Sequence, residues 1–385
     1  MPVSSPVSSS AVSTVPEEFA LLVARFAPVT DPRHARGKVH PLPGVQALVV
    51  LGLLAGCRSP SAVGRYGAIH PEALAPLGLR RSPSVATLHR LPGMVAVAEV
   101  RAVLRAVAQD LIERRGPAAA VTGVALDGKT LRGTHEDGAP LHVLRAVAQR
   151  AELALDQAPA SRLRGEVAAA TTWVTELAAA FPGLAILTGD ALFAEQSLGA
   201  AVVAGQRDDV FRPKKNQPSL FADITRLFVD PRAPDVVTTG KGHGRIERRE
   251  LRVRPDLAGY AVFPGLAQVA ELRTEVVRVS TGEVTHSTHY LITSLGPDAI
   301  EPAQLLGVAR RHWGVENRWF HVAGDGFGED RQVLQTHHRG QVLGTLRGMA
   351  PNLLRGACPL WSDATPLTAP AEWVSGHPLA ILSGL

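Results

Sequence analysis

Two aspartates close apolar runs that read as strands. Asp127 ends VTGVALDG (121–128) and is followed by Lys129, and Asp190 ends LAILTGDA (184–191). Carboxylates at neighbouring strand ends are hard oxygen donors of the kind Mg²⁺ or Mn²⁺ takes, with positions left for water and phosphate. Two such ions roughly 4 Å apart can activate an attacking oxygen and stabilise a leaving one, which is phosphodiester chemistry. Taken singly, either aspartate reads more readily as a turn residue or a helix N-cap. A third acid is expected from a helix beside them, and Glu316 in RRHWGVENRWF fits. There His312, Trp313, Glu316 and Phe320 share a helical face, where a charge is costly unless paired or metal-bound. A salt bridge from Glu316 to Arg310 or Arg318 is the other reading, and Glu329 and Asp330 in GFGED are rival third acids.

The cations add a separate signal. Of 40 Lys and Arg residues, only Lys38, Lys129, Lys214, Lys215 and Lys241 are lysine, and Asn216, Asn317 and Asn352 are the only asparagines. Lysine is a compact point donor to phosphate, whereas arginine is a planar fork. A chain that otherwise uses arginine retains lysine where the fork does not serve. That marks DGK, KKNQP, GKGHGR and the VEN helix as functional segments. Arg245, Arg248, Arg249, Arg252 and Arg254 follow GKGHG, and in a strand alternate members would face one side and could track a phosphate backbone. A solvated charged face is the competing reading. His243 in GHGR is a candidate phosphate donor, as is Arg311 beside His312.

Composition bounds the class. The 385 residues are 45% apolar, enough for a sizeable core and for two domains, or for one large domain with an insertion. A net charge of +5 permits nucleic-acid binding without requiring it. Two cysteines, Cys57 and Cys358, without CxxC spacing exclude a disulfide scaffold or zinc ribbon and fit a reducing compartment. No HExxH, P-loop or GxSxG occurs, which argues against a zinc hydrolase, an NTPase or a serine hydrolase. The N-terminus carries no early Lys or Arg and no apolar signal core, and the longest apolar stretch, Leu42–Gly56, is interrupted by Pro43 and Gln46. A cytoplasmic protein with no membrane span is expected.

The elements that must position these residues follow from periodicity. Residues 1–15 are Ser/Val/Pro-rich and read as a disordered tail; 16–115 read as a helical N-terminal domain, with Ser84 as an N-cap before VATLHRL. After Gly116-Pro117 come strands at 121–128, 141–149 and 151–157, then a helix at 166–181 and a strand at 184–191. A helix at 195–204 and a short strand at 210–215 complete this part. Three hairpin-linked strands followed by alternating helix and strand is the order of an α/β, ribonuclease-H-like core, with the first and fourth strands adjacent. Residues 217–298 read as an irregular, strand-rich insertion that includes a hairpin, 272–279 with 283–295. Helix returns from Pro302 to about Val322, the core domain spans 118–355, and a tail occupies 356–385.

With those segments in place, the chain resembles the DDE transposases of bacterial insertion sequences, in particular the H-repeat-associated (ISAs-type) group. The matching segments run in order over about residues 25–355: DPRHARGKVHPL, SPSVATLHRL, ALDGKTLRG, TGDALFAEQ, KKNQPSL, GHGRIERRELRV, HYLITSL, RRHWGVENR and GFGED. The resemblance implies a catalytic and metal-binding triad of Asp127, Asp190 and Glu316 with two Mg²⁺ or Mn²⁺ ions, which cuts element ends and joins the 3′-OH to target DNA. It implies DNA contacts by Lys129, Lys214, Lys215, Asn216, His243, Arg245 and Arg311. It further implies a helical N-terminal domain assisting DNA recognition, and a homodimer that brings two terminal repeats together in the bacterial cytoplasm. The chain departs from the pattern at Ala309 and His312, where relatives carry Tyr and Arg. It departs again before FGED, where the Asp is displaced to Asp325, and before Glu166, where SRLRG replaces a polar run. A ribonuclease-H-like nuclease and a non-catalytic DNA-binding relative remain the alternative readings.

Overall fold

The computed structural model describes residues 17–136, 139–160, 165–230, 232–242, 244–315 and 336–357. The chain divides into two compact units, residues 1–103 with 353–385 and residues 104–352, the divisions falling inside α5 (Val97–Arg115) and α10 (His337–Ala357).

The first unit is helical: α1 (Glu17–Phe26), α2 (Leu42–Leu54), α3 (Pro60–Ile69), α4 (Val85–Arg90) and the start of α5. Every residue of α2 except Pro43 is buried, so it is apolar all round, as a central core helix must be. The stretch 35–54 is long and apolar enough to cross a membrane by length and composition, and two thirds of it is buried within the protein. Serines start two of the helices. Ser59 Oγ accepts the Ala62 N–H at 3.1 Å, and Ser84 Oγ accepts the Thr87 N–H at 3.2 Å, each satisfying a donor that the first turn leaves open. Thr30 donates to Glu99 through both its backbone N–H (2.7 Å) and its hydroxyl (2.9 Å), fastening the loop after α1 to α5.

The second unit is built on one sheet of nine strands in the order β3-β2-β1-β4-β5-β9-β8-β7-β6. The strands are β1 (Gly123–Glu136), β2 (Ala139–Ala148), β3 (Leu153–Ala160), β4 (Ile186–Gly189), β5 (Asp208–Phe211), β6 (Val236–Gly242), β7 (Arg245–Arg254), β8 (Gln268–Arg278) and β9 (Val284–Thr293). β1, β2 and β3 form an antiparallel meander, whereas β4 and β5 run parallel to β1. The crossovers are helical, as parallel pairing requires: α6 (Gly165–Ala180) before β4 and α7 (Gln196–Ala204) before β5. The 217–298 segment does not form a separate sheet. Its strands extend the first one through a seam of two pairings, Val210 with Thr293 and Phe211 with Ile292. It also opens with a helix, α8 (Pro218–Leu227), where the sequence reads as irregular; Pro218 stands in its first turn, where a missing N–H costs nothing.

α9 (Pro302–Val315) packs on β1, β4 and β7. Its Leu305, Leu306, Val308 and Ala309 share a core with Val210, Leu251, Ala270, Leu272 and Leu291. At the opposite edge, one of the three asparagines completes β3. Asn352 of α10 accepts the Ala154 N–H and donates to the Ala154 carbonyl, each at 2.8 Å, so its side-chain amide stands in for the strand that an edge lacks.

Candidate active site

β1 and β4 place the two aspartates together. Ala125 on β1 lies opposite Thr188 on β4, and Thr188 lies opposite Val210 on β5. Carried two residues beyond these pairings, the same register brings Asp127 on β1 level, as one rung, with Asp190 and Arg212, which stand just past the ends of β4 and β5. Neighbouring strands are roughly 4.8 Å apart, so the two carboxylates are next-door positions. Asp127 is half-buried. Asp190, just past the end of β4, is exposed, and its Oδ1 accepts the Leu192 N–H at 2.9 Å.

Beneath Asp190, α9 is fixed by a chain of polar contacts. Gln149 Nε2 donates to Thr188 Oγ1 at 2.9 Å and to the Val308 carbonyl at 3.3 Å, and Thr188 Oγ1 shares a 2.9 Å hydrogen bond with His312 Nδ1. Burial pushes His312 down to about 4, with the Asp190 charge opposing and Arg212 assisting. His312 is therefore neutral at pH 7 and lies within electrostatic reach of Asp190. Val315 ends the described part of α9. Glu316, Glu329, Asp330 and Asp325 lie outside the described residues, as does His243.

A further carboxylate that the sequence does not single out reaches this region from the other side. Glu166, in the first turn of α6, rests on Gly128. A Cβ at position 128 would stand 2.8–2.9 Å from its carboxylate atoms. This close approach is the physical reason for glycine after Asp127. His142 Nδ1 lies 3.7 Å from Glu166 Oε1. Burial raises the Glu166 carboxyl, His142 acts against that, and the charge of Asp190 adds to it. Strand alternation puts Gly128 on the face opposite Asp127, so Glu166 flanks the rung and does not join it. Among the described residues, no three His, Cys, Asp or Glu side chains are grouped to hold a metal ion. Asp127 and Asp190 supply hard oxygen donors, a set that suits a Mg²⁺ or Mn²⁺ ion keeping much of its water.

The cations divide. Lys129 is half-buried on β1, opposite Val143. Lys214, Lys215 and Asn216 form the exposed turn after β5, and Asn216 ties it down. Its Nδ2 donates to the Ala191 carbonyl at 2.7 Å, and its Oδ1 accepts the Lys214 N–H at 3.1 Å, joining the KKN turn to the segment that follows Asp190. Arg311 is half-buried on α9, and burial lowers its pKa, assisted by the charge of Arg150. Lys241 and Arg245 are not brought to the rung. They lie at the end of the β6–β7 ladder remote from the β5 seam, nine residues from Arg254, or about 30 Å at strand rise.

The arginine stripe expected on β7 is largely neutralised. Arg248 pairs with Glu250, Arg249 with Glu247, Arg252 with buried Glu271, and Arg254 with Asp256 at 2.9 Å. Glu247, Glu250 and Asp256, in IERRELRVRPD, and Glu271 of β8 take their charge. Arg245 alone of the five has no carboxylate partner among the described residues.

Residues 23–107 match the family model described as DDE_Tnp_1-associated. The match covers the end of α1, all of α2–α4 and the first part of α5. No curated protein matches the chain. Among solved structures, the cryo-electron microscopy structure of the piggyBac transposase synaptic complex with hairpin DNA is similar at 9% identity and a TM-score of 0.40, covering 96% of this chain and 78% of that one.

Proposed function

We propose that the chain is a DNA transposase that cuts the ends of an insertion sequence and joins them to target DNA. The observation that carries this reading is a conjunction within one chain. A segment matching a transposase-associated family precedes a sheet in which the β1–β4 register brings Asp127 level with Asp190, just past the end of β4. The strand order β3-β2-β1-β4-β5, with β4 and β5 parallel to β1, supports a ribonuclease-H-like core for residues 118–355. The strands from 217 to 298 are then an insertion that enlarges the same sheet.

In this reading Asp127 and Asp190 hold divalent metal, and Glu316, one residue past the described end of α9, is the third acid. Bound Mg²⁺ or Mn²⁺ would supply Lewis-acid activation of the attacking oxygen and stabilisation of the leaving one. Water attacks phosphorus in line and the element strand leaves as a 3′-OH; that hydroxyl then attacks a target phosphodiester, with no covalent enzyme intermediate. Lys129, Lys214 and Lys215 hold phosphates near the rung, and Asn216 keeps the lysine turn in register with Asp190. Arg245 and His243 belong to a more distant stretch of DNA. Handling two ends requires a dimer in the synaptic complex.

The test is strand transfer of a labelled element end into plasmid with Mg²⁺. Joining by the wild type, and its loss by a factor of 10³ or more in Asp127→Ala, Asp190→Ala and Glu316→Ala, is expected. Cleavage without joining would indicate a nuclease, and tight binding without cleavage a non-catalytic relative. Full activity in Glu316→Ala would remove that residue from the triad.

A further inference from the structure

Arg212 is the third residue on the rung of Asp127 and Asp190, and neither its sequence context, FRPKK, nor its rarity marks it out. Two partners hold its guanidinium. It lies over the Trp313 ring of α9, 5.6 Å from the centroid, and its Nη2 donates to His289 Nδ1 on β9. The His289 ring lies 5.8 Å from that of Trp313, so the two rings and the guanidinium form one cluster that joins β5, β9 and α9. All three side chains are half-buried.

Its charge is felt on both sides. His289 is pushed down to about 4 by burial, then by Arg212 and Lys214, with a Thr288 backbone hydrogen bond opposing. At neutral pH His289 therefore accepts from Arg212 and adds no charge of its own. On the other side Arg212 acts on His312, which also senses Asp190. A carboxylate pair and a fixed cation thus stand side by side, with Lys214 two residues further on. A guanidinium set on an aromatic face and hydrogen-bonded to an imidazole is held in place, and its charge favours a phosphate oxygen beside it.

We propose that Arg212, held by Trp313 and His289, is a DNA-backbone contact that seats the phosphodiester beside the Asp127–Asp190 rung. This rests on the transposase reading for the identity of the substrate, and on the rung and the cluster for the residue. Lys214 extends the same contact along the strand, and the site reads charge and shape, not base sequence.

The test uses the full chain, EDTA and a fluorescent duplex, with anisotropy measured from 50 to 300 mM salt. Arg212→Ala should weaken binding about tenfold at low salt and lower the log–log salt slope by about 0.9, one phosphate contact. The loss should be equal for unrelated duplex sequences. Trp313→Leu retains the charge and should weaken binding by a smaller factor with the slope unchanged, which separates positioning from charge. Circular dichroism checks that each variant is folded; if Arg212→Ala is not, Arg212→Gln takes its place. Wild-type affinity and slope in a folded Arg212 variant would overturn the proposal, even if the wild type performs strand transfer. Failure of the wild type to cleave, with the slope still reduced by Arg212→Ala, would overturn the transposase reading and leave the phosphate contact standing.

Discussion

Asp209→Asn should remove a large part of the pH dependence of the sheet unit. Asp209 lies on β5 with 1% of its surface exposed, and its Oδ2 has no hydrogen-bond partner among the described residues. Burial pushes its carboxyl up to about 7; a Ser294 backbone hydrogen bond acts against burial, and the neighbouring charge of Asp208 acts with it. The ordinary value is 3.8, so between about pH 4 and 7 the folded state keeps a proton that the unfolded chain has released. The stability from this group is fully present below about pH 4 and is lost as pH rises through about 7. A shift of about three units, at roughly 1.36 kcal/mol each, amounts to about 4 kcal/mol. Asparagine has the shape of the neutral acid and does not titrate. The unfolding free energies of wild type and variant, from urea denaturation followed by tryptophan fluorescence, should therefore diverge by about 4 kcal/mol in favour of the variant between pH 4 and 8.5. Trp173 and Trp313 both lie in this unit, so the signal reports on it. Titrations common to both proteins cancel in the difference. A constant difference over that range would mean that Asp209 ionises normally in the fold, and the burial argument would be wrong.

Three further outcomes are expected. Asp156 is fully buried, and its Oδ2 accepts from Arg105 Nε (2.9 Å), Arg105 Nη2 (2.5 Å) and Trp173 Nε1 (2.8 Å); Asp156→Ala should cost about 3–5 kcal/mol in urea unfolding. Gly128→Ala puts a methyl against the Glu166 carboxylate and should cost about 1–3 kcal/mol, with much of the loss recovered in Gly128→Ala/Glu166→Ala; strict additivity would refute the contact. Thr188→Val leaves His312 Nδ1 and Gln149 without their shared hydroxyl, so about 1–3 kcal/mol and a change in Trp313 emission should follow together.

The meander, both parallel strands and the helix from Pro302 are legible because their apolar residues recur with clear periods and are bounded by Gly, Pro and Ser. Asp127 and Asp190 stand out as acids closing apolar runs, although β1 continues past Asp127 to Glu136. Other features depend on partners distant in sequence. Nothing in RIERRELRVR says that Arg252 meets a carboxylate, because Glu271 comes from β8. Glu166 looks like an ordinary first-turn acid of α6 until its contact with Gly128 is known. The same holds for Arg212, whose meaning comes from lying level with Asp190. The rare residues serve different ends: Asn216 ties the lysine turn and Asn352 completes an edge strand, whereas Lys241 lies far from the rung.

The seam between β5 and β9 bears on how this chain can change. Phe211 and Ile292 are paired, so the 80 residues between them, which carry the outer strands of the same sheet, start and end at adjacent points, within a strand spacing of roughly 5 Å. Whatever length or shape the intervening segment takes, its two ends meet the core at the same doorway. The stretch is nevertheless tied to the site: His289 of β9 holds Arg212, and Leu251, Ala270, Leu272 and Leu291 pack against α9, so a change in its length or shape leaves Arg212 and α9 in place only where it spares those residues.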